Sequence, residues 1–351
     1  MPANAPAMKQ PANTAPGEPA SVEAKVEFLR QPATYPARPD RVEAIETHMS
    51  WVFLAGEHAY KLKKPVRHDF LDFSTPELRR ADCEAEVRLN RRLAPDVYLG
   101  VTALTVADDG ALALGGAGQS IDWLVEMRRL PRDRMLDRAV ADATATAGDL
   151  ARIGERLGRF YRSLAPATLP GGLRGRLERD IAGCAVEIER AEYALDGHRA
   201  NGLADRMLAF VDRETTLIAL REQAGNVVEG HGDLRPEHVC LLDEPAIIDC
   251  VEFNRDFRIV DAAEDLAFLA LECERLGHPD AGAAILAAYS HAAADAIPAR
   301  LLDFYFAVRA FIRAKIAAWR THEASGDKRD LWLKRAEEYL ALAERHLARA
   351  G

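Results

Sequence analysis

The sequence lacks the paired cysteines of a small secreted fold. Its five cysteines are an odd number, widely scattered and without a C-x-x-C pair, so neither a disulfide framework nor a structural zinc site is predicted. No uninterrupted apolar run is long enough to cross a bilayer. Residues 1–20 also lack the continuous apolar core of a secretory signal peptide. We therefore expect a protein that stays in water, in the reducing environment of the cytoplasm.

The sequence also lacks an excess of positive charge. The sequence has 46 Lys and Arg residues against 55 Asp and Glu residues, a net charge of −9 at pH 7, which argues against a general binder of nucleic acid or of anionic membranes. No G-x-x-x-x-G-K-[ST] motif occurs in it, so no P-loop kinase domain is predicted within this sequence. What is present, 48% hydrophobic and 29% charged residues over 351 positions, is enough for a globular protein of two lobes.

The first part of the sequence predicts a small β lobe. Residues 1–21 are rich in Pro and Ala and predict a disordered tail. From residue 22 to 129, turn residues separate short apolar runs, which predicts an antiparallel sheet. One helix interrupts it and stops before Pro95. Either Ser74 opens this helix with a capping box, or Thr75 is the cap and the following proline lies in the first turn.

Residues 130–351 predict a larger lobe that is mainly helical. Apolar residues recur there at spacings of three or four, and the helical pattern is broken at Pro279, at Pro298 and over the polar residues 323–330. The predicted fold class is therefore α+β, with a small antiparallel β lobe that carries one helix, followed by a larger and mainly α lobe.

The most informative stretch is residues 230–253, which sets two carboxylates at the ends of a predicted β-hairpin. Asp233 lies in a loop that enters a short apolar strand, and residues 243–245 have the composition of a turn. A second apolar run then ends at Asp249. We expect the loop acid and the strand-end acid to face a common cleft.

A lysine and a glutamate of the β lobe form a second predicted constellation. Lys61 and Lys63 alternate along a predicted strand and so share one face. On the helix that follows, Glu86 lies on the apolar stripe, whereas Glu84 lies among charges that face solvent. A carboxylate on an apolar stripe requires a cation, which predicts a pair between Glu86 and Lys61. In the alternative interpretation the two lysines solubilise an edge strand and the head of Glu86 reaches water.

Three motifs follow one another at informative distances: His231-Gly232-Asp233, then Ile248-Asp249, then Asp265-Leu266-Ala267. Together they resemble the catalytic core of the aminoglycoside phosphotransferase family, a group of protein-kinase-like small-molecule kinases. The resemblance covers most of residues 22–320 and implies a two-lobed protein-kinase-like fold.

The resemblance also implies roles for individual residues. Asp233 would accept a hydrogen bond from the acceptor hydroxyl and orient it, and Asp249 would hold Mg²⁺ or Mn²⁺. ATP or GTP would be the phosphate donor, with Lys61 binding its phosphates and Glu86 holding Lys61 in place. His231 would brace the loop. Asp265 would fix the loop through hydrogen bonds, unless it is an ordinary acid at a helix N-terminus.

The sequence departs from the family pattern at two places. Where the family carries a metal-binding Asn, this sequence has His238, and Mg²⁺ prefers oxygen ligands to imidazole. His238 is the second metal ligand, or it contacts phosphate, or Glu237 substitutes for it. The glycine-rich phosphate loop is also missing, and Ser50 is the candidate donor to the nucleotide at that turn. Met127 lies in the segment that resembles the connector holding the adenine edge.

The sequence thus favours a phosphotransferase that moves the γ-phosphate of ATP or GTP to a hydroxyl of a small-molecule acceptor. No nucleic-acid or membrane partner is expected, and the sequence leaves the oligomeric state open. One alternative is a catalytically impaired nucleotide-binding pseudokinase, motivated by His238. Another is a metal-dependent hydrolase that uses His231, Asp233, His238 and Asp249. The basic residues Arg309, Arg313 and Lys315 are interpreted as a solvated helix face.

Overall fold

A computed structural model describes residues 20–68, 70–193 and 195–351 of the chain. The disordered tail predicted for residues 1–21 therefore lies outside the described residues as far as residue 19. Within the described part, the chain divides into two compact units. The first unit runs to Arg132 and also includes Ala246–Asn254, and the second comprises Asp133–Pro245 and Arg255–Gly351.

The strands are short except for two in the first unit. In chain order they are β1 (Val42–Glu46), β2 (Ser50–Ala55), β3 (His58–Lys63), β4 (Arg67–His68), β5 (Leu71–Asp72), β6 (Tyr98–Val106), β7 (Leu112–Leu114), β8 (Gln119–Arg128), β9 (Val227–Glu229), β10 (Val239–Cys240), β11 (Ala246–Ile247) and β12 (Ile259–Asp261).

Of the described helices, the first two lie in the first unit, and the others lie in the second unit, which they dominate. In chain order they are α1 (Val22–Leu29), α2 (Pro76–Asn90), α3 (Leu136–Ala141), α4 (Ala147–Ser163), α5 (Gly172–Ile188), α6 (Gly197–Arg213), α7 (Thr215–Gln223), α8 (Ala262–Arg275), α9 (Pro279–Ala293), α10 (Ala299–Glu323) and α11 (Asp327–Ala350).

The first unit is built on one antiparallel sheet with the order β1-β2-β3-β8-β6-β7. Strand β3 pairs with β2 on one side and with β8 on the other. It is an interior strand, so the alternative in which Lys61 and Lys63 solubilise an edge strand is wrong. Both lysines instead project from the middle of a sheet, where a charge requires partners.

Helix α1 was not expected, because residues 22–66 predicted only strands. Ser21 caps it by accepting the Ala24 N–H at 3.2 Å. Its residues Val26 and Leu29 belong to the apolar core of the first unit together with Phe53 on β2. The prediction was wrong here because the helical spacing of a few apolar residues in a short segment is hard to distinguish from strand periodicity.

Helix α2 begins as one of the two predicted caps requires. The Thr75 hydroxyl accepts the Leu78 N–H at 3.3 Å, and Pro76 occupies the first turn. Thr75 is therefore the cap, while the Ser74 hydroxyl donates to Asp72 at 2.5 Å. The helix ends at Asn90, before the proline that was expected to limit it.

The second unit confirms the mainly helical prediction for that part of the chain. Helix α4 opens with a capping box between Thr146 and Asp149 and packs closely on α9. At Gly154 an added Cβ would lie 2.4 Å from the carbonyl oxygen of Ile285, so only glycine permits this approach. Across the described residues, no helix combines the length and the apolarity that crossing a membrane requires. The α+β fold class is confirmed.

Candidate active site

Lys61 is the centre of an ion-pair cluster in the first unit. Its ammonium donates to Glu86 Oε1 at 2.9 Å and to Asp249 Oδ1 at 2.8 Å. The Glu86 side chain is fully buried, whereas 42% of the Asp249 side chain remains exposed. The pair predicted between Lys61 and Glu86 is present, and Glu86 does not reach water.

The charge of Lys61 is secured by its neighbours. Burial acts to lower the pKa of this ammonium, but the carboxylates of Asp249, Glu86 and Glu252 act against it and raise the pKa well above its ordinary value. Lys61 is therefore a permanent cation at any physiological pH, which is what binding a phosphate requires.

Asp249 is held in an unusual backbone conformation. Its φ is +61°, in the left-handed region that L-residues rarely adopt outside Gly, Asn and Asp. Two hydrogen bonds stabilise this turn: the Asp249 N–H donates to the Tyr98 hydroxyl at 3.1 Å, and the Cys250 N–H donates to Asn90 Oδ1 at 2.9 Å. The turn is thus fixed to β6 and to α2, and it presents the Asp249 carboxylate to Lys61.

Lys63 has a carboxylate cage of its own. The ammonium lies 2.6 Å from Asp82 Oδ2, 2.6 Å from Glu86 Oε2 and 2.5 Å from Glu252 Oε1, and the side chain is 1% exposed. The sequence placed Lys63 on the face of Lys61 but assigned it no partner. The spacing of Asp82 and Glu86 by one helical turn was the available signal for this cage.

In the second unit, Asp265 organises the loop that carries Asp233. Its buried carboxylate accepts the His231 N–H at 2.8 Å and the Gly232 N–H at 3.1 Å. Gly232 has φ +85°, and an added Cβ would lie 2.8 Å from the Phe257 carbonyl oxygen, so the loop requires glycine here. Asp265 therefore does more than a helix N-terminal acid would, and the structural role implied by the resemblance is confirmed.

His231 contributes to the same loop. Its side chain is fully buried, and its Nδ1 accepts the Asp233 N–H at 3.3 Å. The bracing role predicted for this residue is present.

Arg309 corrects one prediction from the sequence. It was interpreted as part of a solvated helix face, but only 6% of the residue is exposed. Its guanidinium lies 2.9 Å from Glu264 and 3.5 Å from Asp265, and it donates to the Gly232 carbonyl oxygen at 3.3 Å. Arg309 is an internal support of the loop. Arg313 is also partly buried, against Glu272 and the Tyr339 ring, and Lys315 is half-buried.

Asp233 has close neighbours in its own loop. Arg235 donates to Asp233 Oδ2 at about 3.2 Å through Nε. Arg235 also lies 3.1 Å from His238 Nε2, while His238 Nδ1 lies 2.8 Å from the Asp233 carbonyl oxygen. Because a guanidinium only donates, Nε2 of His238 accepts and Nδ1 carries the proton that goes to the carbonyl. Both ring nitrogens therefore hold the loop in this structure.

The donor chemistry distinguishes the two predicted metal ligands. The half-exposed carboxylate of Asp249 supplies the hard oxygen atoms that Mg²⁺ prefers. Around Lys61 and Lys63, two ammonium groups meet four carboxylates, which leaves a local excess of negative charge suited to a divalent cation. Asp249 thus fits the ion. His238 offers imidazole nitrogens that would first have to release Arg235 or the Asp233 carbonyl, and its assignment as a ligand stays a prediction.

The two remaining nucleotide contacts predicted from the sequence also stay predictions. Ser50 is 2% exposed, and its N–H donates to the Thr47 hydroxyl at 3.0 Å, so a nucleotide would have to compete for that donor. Met127 is flanked by Ala59 on β3 and by Tyr98 on β6 in the sheet.

Comparison with known proteins identifies the family. Residues 55–304 match the phosphotransferase enzyme family. The chain belongs to this family. Membership confirms the resemblance that the three motifs carry, since the matched region contains the Lys61 cluster and the Asp233 loop.

Curated relatives of this family member are longer than it is. Uncharacterized proteins of Mycobacterium tuberculosis and Mycobacterium bovis are each 34% identical to it over 321 residues, which covers 88% of this chain and 60% of theirs. The chain therefore spans about 60% of the length of these relatives.

Solved structures of the same fold include small-molecule kinases. A choline kinase of Cryptosporidium parvum superposes with a TM-score of 0.55 at 12% identity, covering 93% of this chain and 96% of that one. An ethanolamine kinase of Plasmodium vivax has a TM-score of 0.51 at 9% identity, covering 86% and 82%. At such identities the similarity establishes the protein-kinase-like fold of this family member.

Proposed function

We propose that this protein is a phosphotransferase that moves the γ-phosphate of ATP or GTP to a hydroxyl of a small-molecule acceptor. The observation that carries the proposal is the arrangement of Lys61 between a fully buried Glu86 and a half-exposed Asp249. A structural ion pair has no need of the third group, whereas a phosphate-binding lysine beside a metal-binding acid does. Membership of a phosphotransferase family supports the same activity.

Each residue then has a defined task. Glu86 holds the ammonium of Lys61 so that it meets the nucleotide phosphates without first having to be ordered. Asp233, whose carboxylate Arg235 orients, accepts the hydrogen bond of the acceptor hydroxyl and directs its oxygen toward the phosphorus. Asp265 and Arg309 keep the loop rigid so that this direction is maintained.

Asp249 is the residue proposed to hold Mg²⁺, with Mn²⁺ as a substitute. The ion, when bound with the nucleotide, neutralises charge on the phosphates. The contribution of the chain is to keep the partly exposed Asp249 carboxylate on a turn that hydrogen bonds to Tyr98 and Asn90 have already fixed.

A binding experiment tests the donor and the ion together. The unfolding temperature is measured with ATP and with GTP, each in the presence of Mg²⁺, Mn²⁺ or EDTA. A ligand present at 100 times its Kd should stabilise the protein by about 2.7 kcal/mol. Stabilisation that needs both a nucleotide and a divalent ion is expected, and no stabilisation by any combination contradicts the proposal.

Transfer is tested next with labelled nucleotide and a panel of small hydroxyl compounds. Choline and ethanolamine, named for the structural neighbours, come first, followed by sugars, aminoglycosides and amino-acid derivatives. Asp233→Ala should lower the transfer rate by about 10²–10⁴-fold, the usual contribution of an acid–base group, while nucleotide affinity is retained.

Asp249→Ala should instead remove the metal-dependent part of nucleotide binding. The matched control is Asp243→Ala, which removes an exposed acid from the turn that precedes Asp249 and should leave both binding and transfer unchanged. Unchanged transfer in Asp233→Ala contradicts its role at the acceptor, and full metal-dependent binding in Asp249→Ala reassigns the metal site.

A second candidate is a nucleotide-binding pseudokinase, and the engagement of both His238 ring nitrogens favours it. It predicts metal-dependent nucleotide binding without transfer to any acceptor. His238→Asn, which restores the residue type of the family, decides between the two. A gain of transfer on this substitution identifies an impaired enzyme, and a loss shows that His238 serves the active one. The metal-dependent hydrolase alternative leaves the buried pair of Lys61 and Glu86 without a purpose.

A further inference from the structure

Strand β3 and the turn that carries Asp249 are joined by two parallel ion pairs in the first unit. Lys61 contacts Asp249 at 2.8 Å, and Lys63 contacts Glu252 at 2.5 Å. The two lysines share Glu86, one on each carboxylate oxygen, at 2.9 and 2.6 Å. Lys61 and Lys63, on one face of β3, thus contact the turn at two points, Asp249 and Glu252.

The two pairs differ in what they can do during a reaction. Asp249 is half-exposed and Lys61 is 15% exposed, so both reach ligands from solvent. The side chain of Lys63 is 1% exposed and that of Glu252 is 9% exposed. Lys63 therefore cannot meet a nucleotide without leaving its cage, and moving a buried cation away from three carboxylates would be strongly unfavourable.

We infer that Lys63 is a positioning residue, which holds the turn that carries Asp249 against strand β3 through Glu252. It does so when Lys61 and Asp249 give up their contact with each other and bind ligands instead. The inference rests on the proposed function, in which Lys61 turns to phosphate and Asp249 to the metal ion. Their mutual contact then loosens. Lys63 keeps the turn in register with the strand and leaves the buried Glu86 with a cation at all times.

The carboxylate cage keeps Lys63 charged. The carboxylates of Glu252, Glu86 and Asp82 oppose the effect of burial and raise the pKa of Lys63 well above its ordinary value, so this ammonium stays charged. Removal of a group that orients a metal-binding side chain without itself contacting the metal typically lowers metal affinity or activity about 10- to 100-fold. Such an effect is measurable without any knowledge of the acceptor.

The test compares two variants that each remove one carboxylate partner of Lys63. Glu252→Gln removes the negative charge that pairs Lys63 with the turn, whereas Asp82→Asn removes the charge of a partner on helix α2 and leaves the pair of Lys63 with Glu252 intact. The readouts are the Kd of a fluorescent ATP analogue with Mg²⁺ and with EDTA, the midpoint of a Mg²⁺ titration, and the unfolding temperature without ligand. Wild-type protein is measured first.

Glu252→Gln should raise the Mg²⁺ midpoint about tenfold and leave the Kd in EDTA within about twofold of the wild-type value. Asp82→Asn should leave the midpoint within about twofold even where it lowers the unfolding temperature. An unmoved midpoint in Glu252→Gln, or equal shifts in both variants, overturns the inference, since a merely structural role of Lys63 would not separate them.

Lys63 itself provides a second test. Lys63→Met should shift the midpoint as Glu252→Gln does, Lys63→Arg should restore it, and the double variant Lys63→Met with Glu252→Gln should shift it no further than either single change. A shift in Glu252→Gln that a folded Lys63→Met does not share would make Glu252 a direct ligand and overturn the inference. Where Lys63→Met does not fold, the pair of carboxylate variants decides. If the wild-type protein shows no metal-dependent nucleotide binding, that result overturns the proposed function as well.

Discussion

Asp265 accepts the backbone N–H of His231 at 2.8 Å, although the two residues belong to different elements of the second unit. The same carboxylate accepts the Tyr161 hydroxyl at 2.9 Å. One buried acid on helix α8 therefore satisfies both backbone and side-chain donors around the loop of Asp233, and the rigidity of that loop depends on it.

Replacing Asp265 should destabilise the protein more than one hydrogen bond would. In Asp265→Asn the amide offers one acceptor where two oxygens served before, which leaves buried donors unsatisfied, and we expect a loss of about 3 kcal/mol in the free energy of unfolding. Urea denaturation measures it. Tyr161→Phe, which removes a single donor, should cost about 1 kcal/mol. Equal losses in the two variants would contradict the central position of Asp265.

Arg309 should matter for stability, in contrast to what its sequence context indicates. Arg309→Met leaves the buried carboxylates of Glu264 and Asp265 with less compensating charge, although Arg176 still pairs with Glu264. We expect a loss of about 3–5 kcal/mol, the usual effect of breaking a buried pair. The control is Arg300→Met on the same helix, where the pair of the exposed Arg300 side chain with Glu214 should contribute at most about 1 kcal/mol. If Arg309→Met loses as little stability as the control, Arg309 is not an internal support of the loop.

The buried carboxylate of Asp122 connects two helices to the sheet of the first unit. Its Oδ2 lies 2.9 Å from Lys25 Nζ on α1, and its Oδ1 lies 2.8 Å from Arg79 Nε on α2. All three residues are buried. Asp122→Asn removes the negative charge that both buried cations contact, so we expect a loss of about 3–5 kcal/mol in the free energy of unfolding, measured by thermal or urea unfolding. Glu84→Gln, in the exposed pair with Arg80, should change stability by less than about 0.5 kcal/mol.

Local sequence patterns were sufficient to predict part of the site. Helical periodicity separated Glu86, which is fully buried, from Glu84, which is exposed. This worked because the direction of a side chain on a helix follows from its spacing to apolar neighbours. The order of elements and the spacing of the acid motifs likewise indicated the fold class, since both are properties of short segments.

What the sequence could not reveal were the pairings between distant segments. Nothing near Arg309 along the chain distinguishes a guanidinium that supports the Gly232 loop from one on a solvated face, because the relevant neighbours are brought there by folding. Lys63 and Glu252 are 189 positions apart, and the buried contact of Lys25 with Asp122 spans 97 positions. Charge count alone does not specify which acid meets which base.

The carboxylate of Glu274 should make stability depend on pH in the acid range. His346 Nε2 lies 2.8 Å from it and Arg345 lies 3.3 Å away, while His346 Nδ1 faces Asp303 at 2.8 Å. The hydrogen bond from His346 lowers the pKa of Glu274 below its ordinary value of 4.5, although partial burial acts against this. A lowered pKa in the folded state means that the stabilisation is complete above pH 4.5 and is lost as the pH falls through the folded value.

Glu274→Gln should therefore cost about 1.5 kcal/mol at pH 7, the contribution of a hydrogen bond to a charged group. The difference from wild type should shrink steadily as the pH falls below 4.5, because the wild-type carboxylate is then protonated and loses the same interaction. Urea unfolding at a series of pH values from 7 to about 3 measures it. Glu338→Gln, on an exposed pair with Arg335, is the control and should show no such convergence. A difference for Glu274→Gln that stays constant or grows toward acid pH would contradict the assigned direction of the pKa shift.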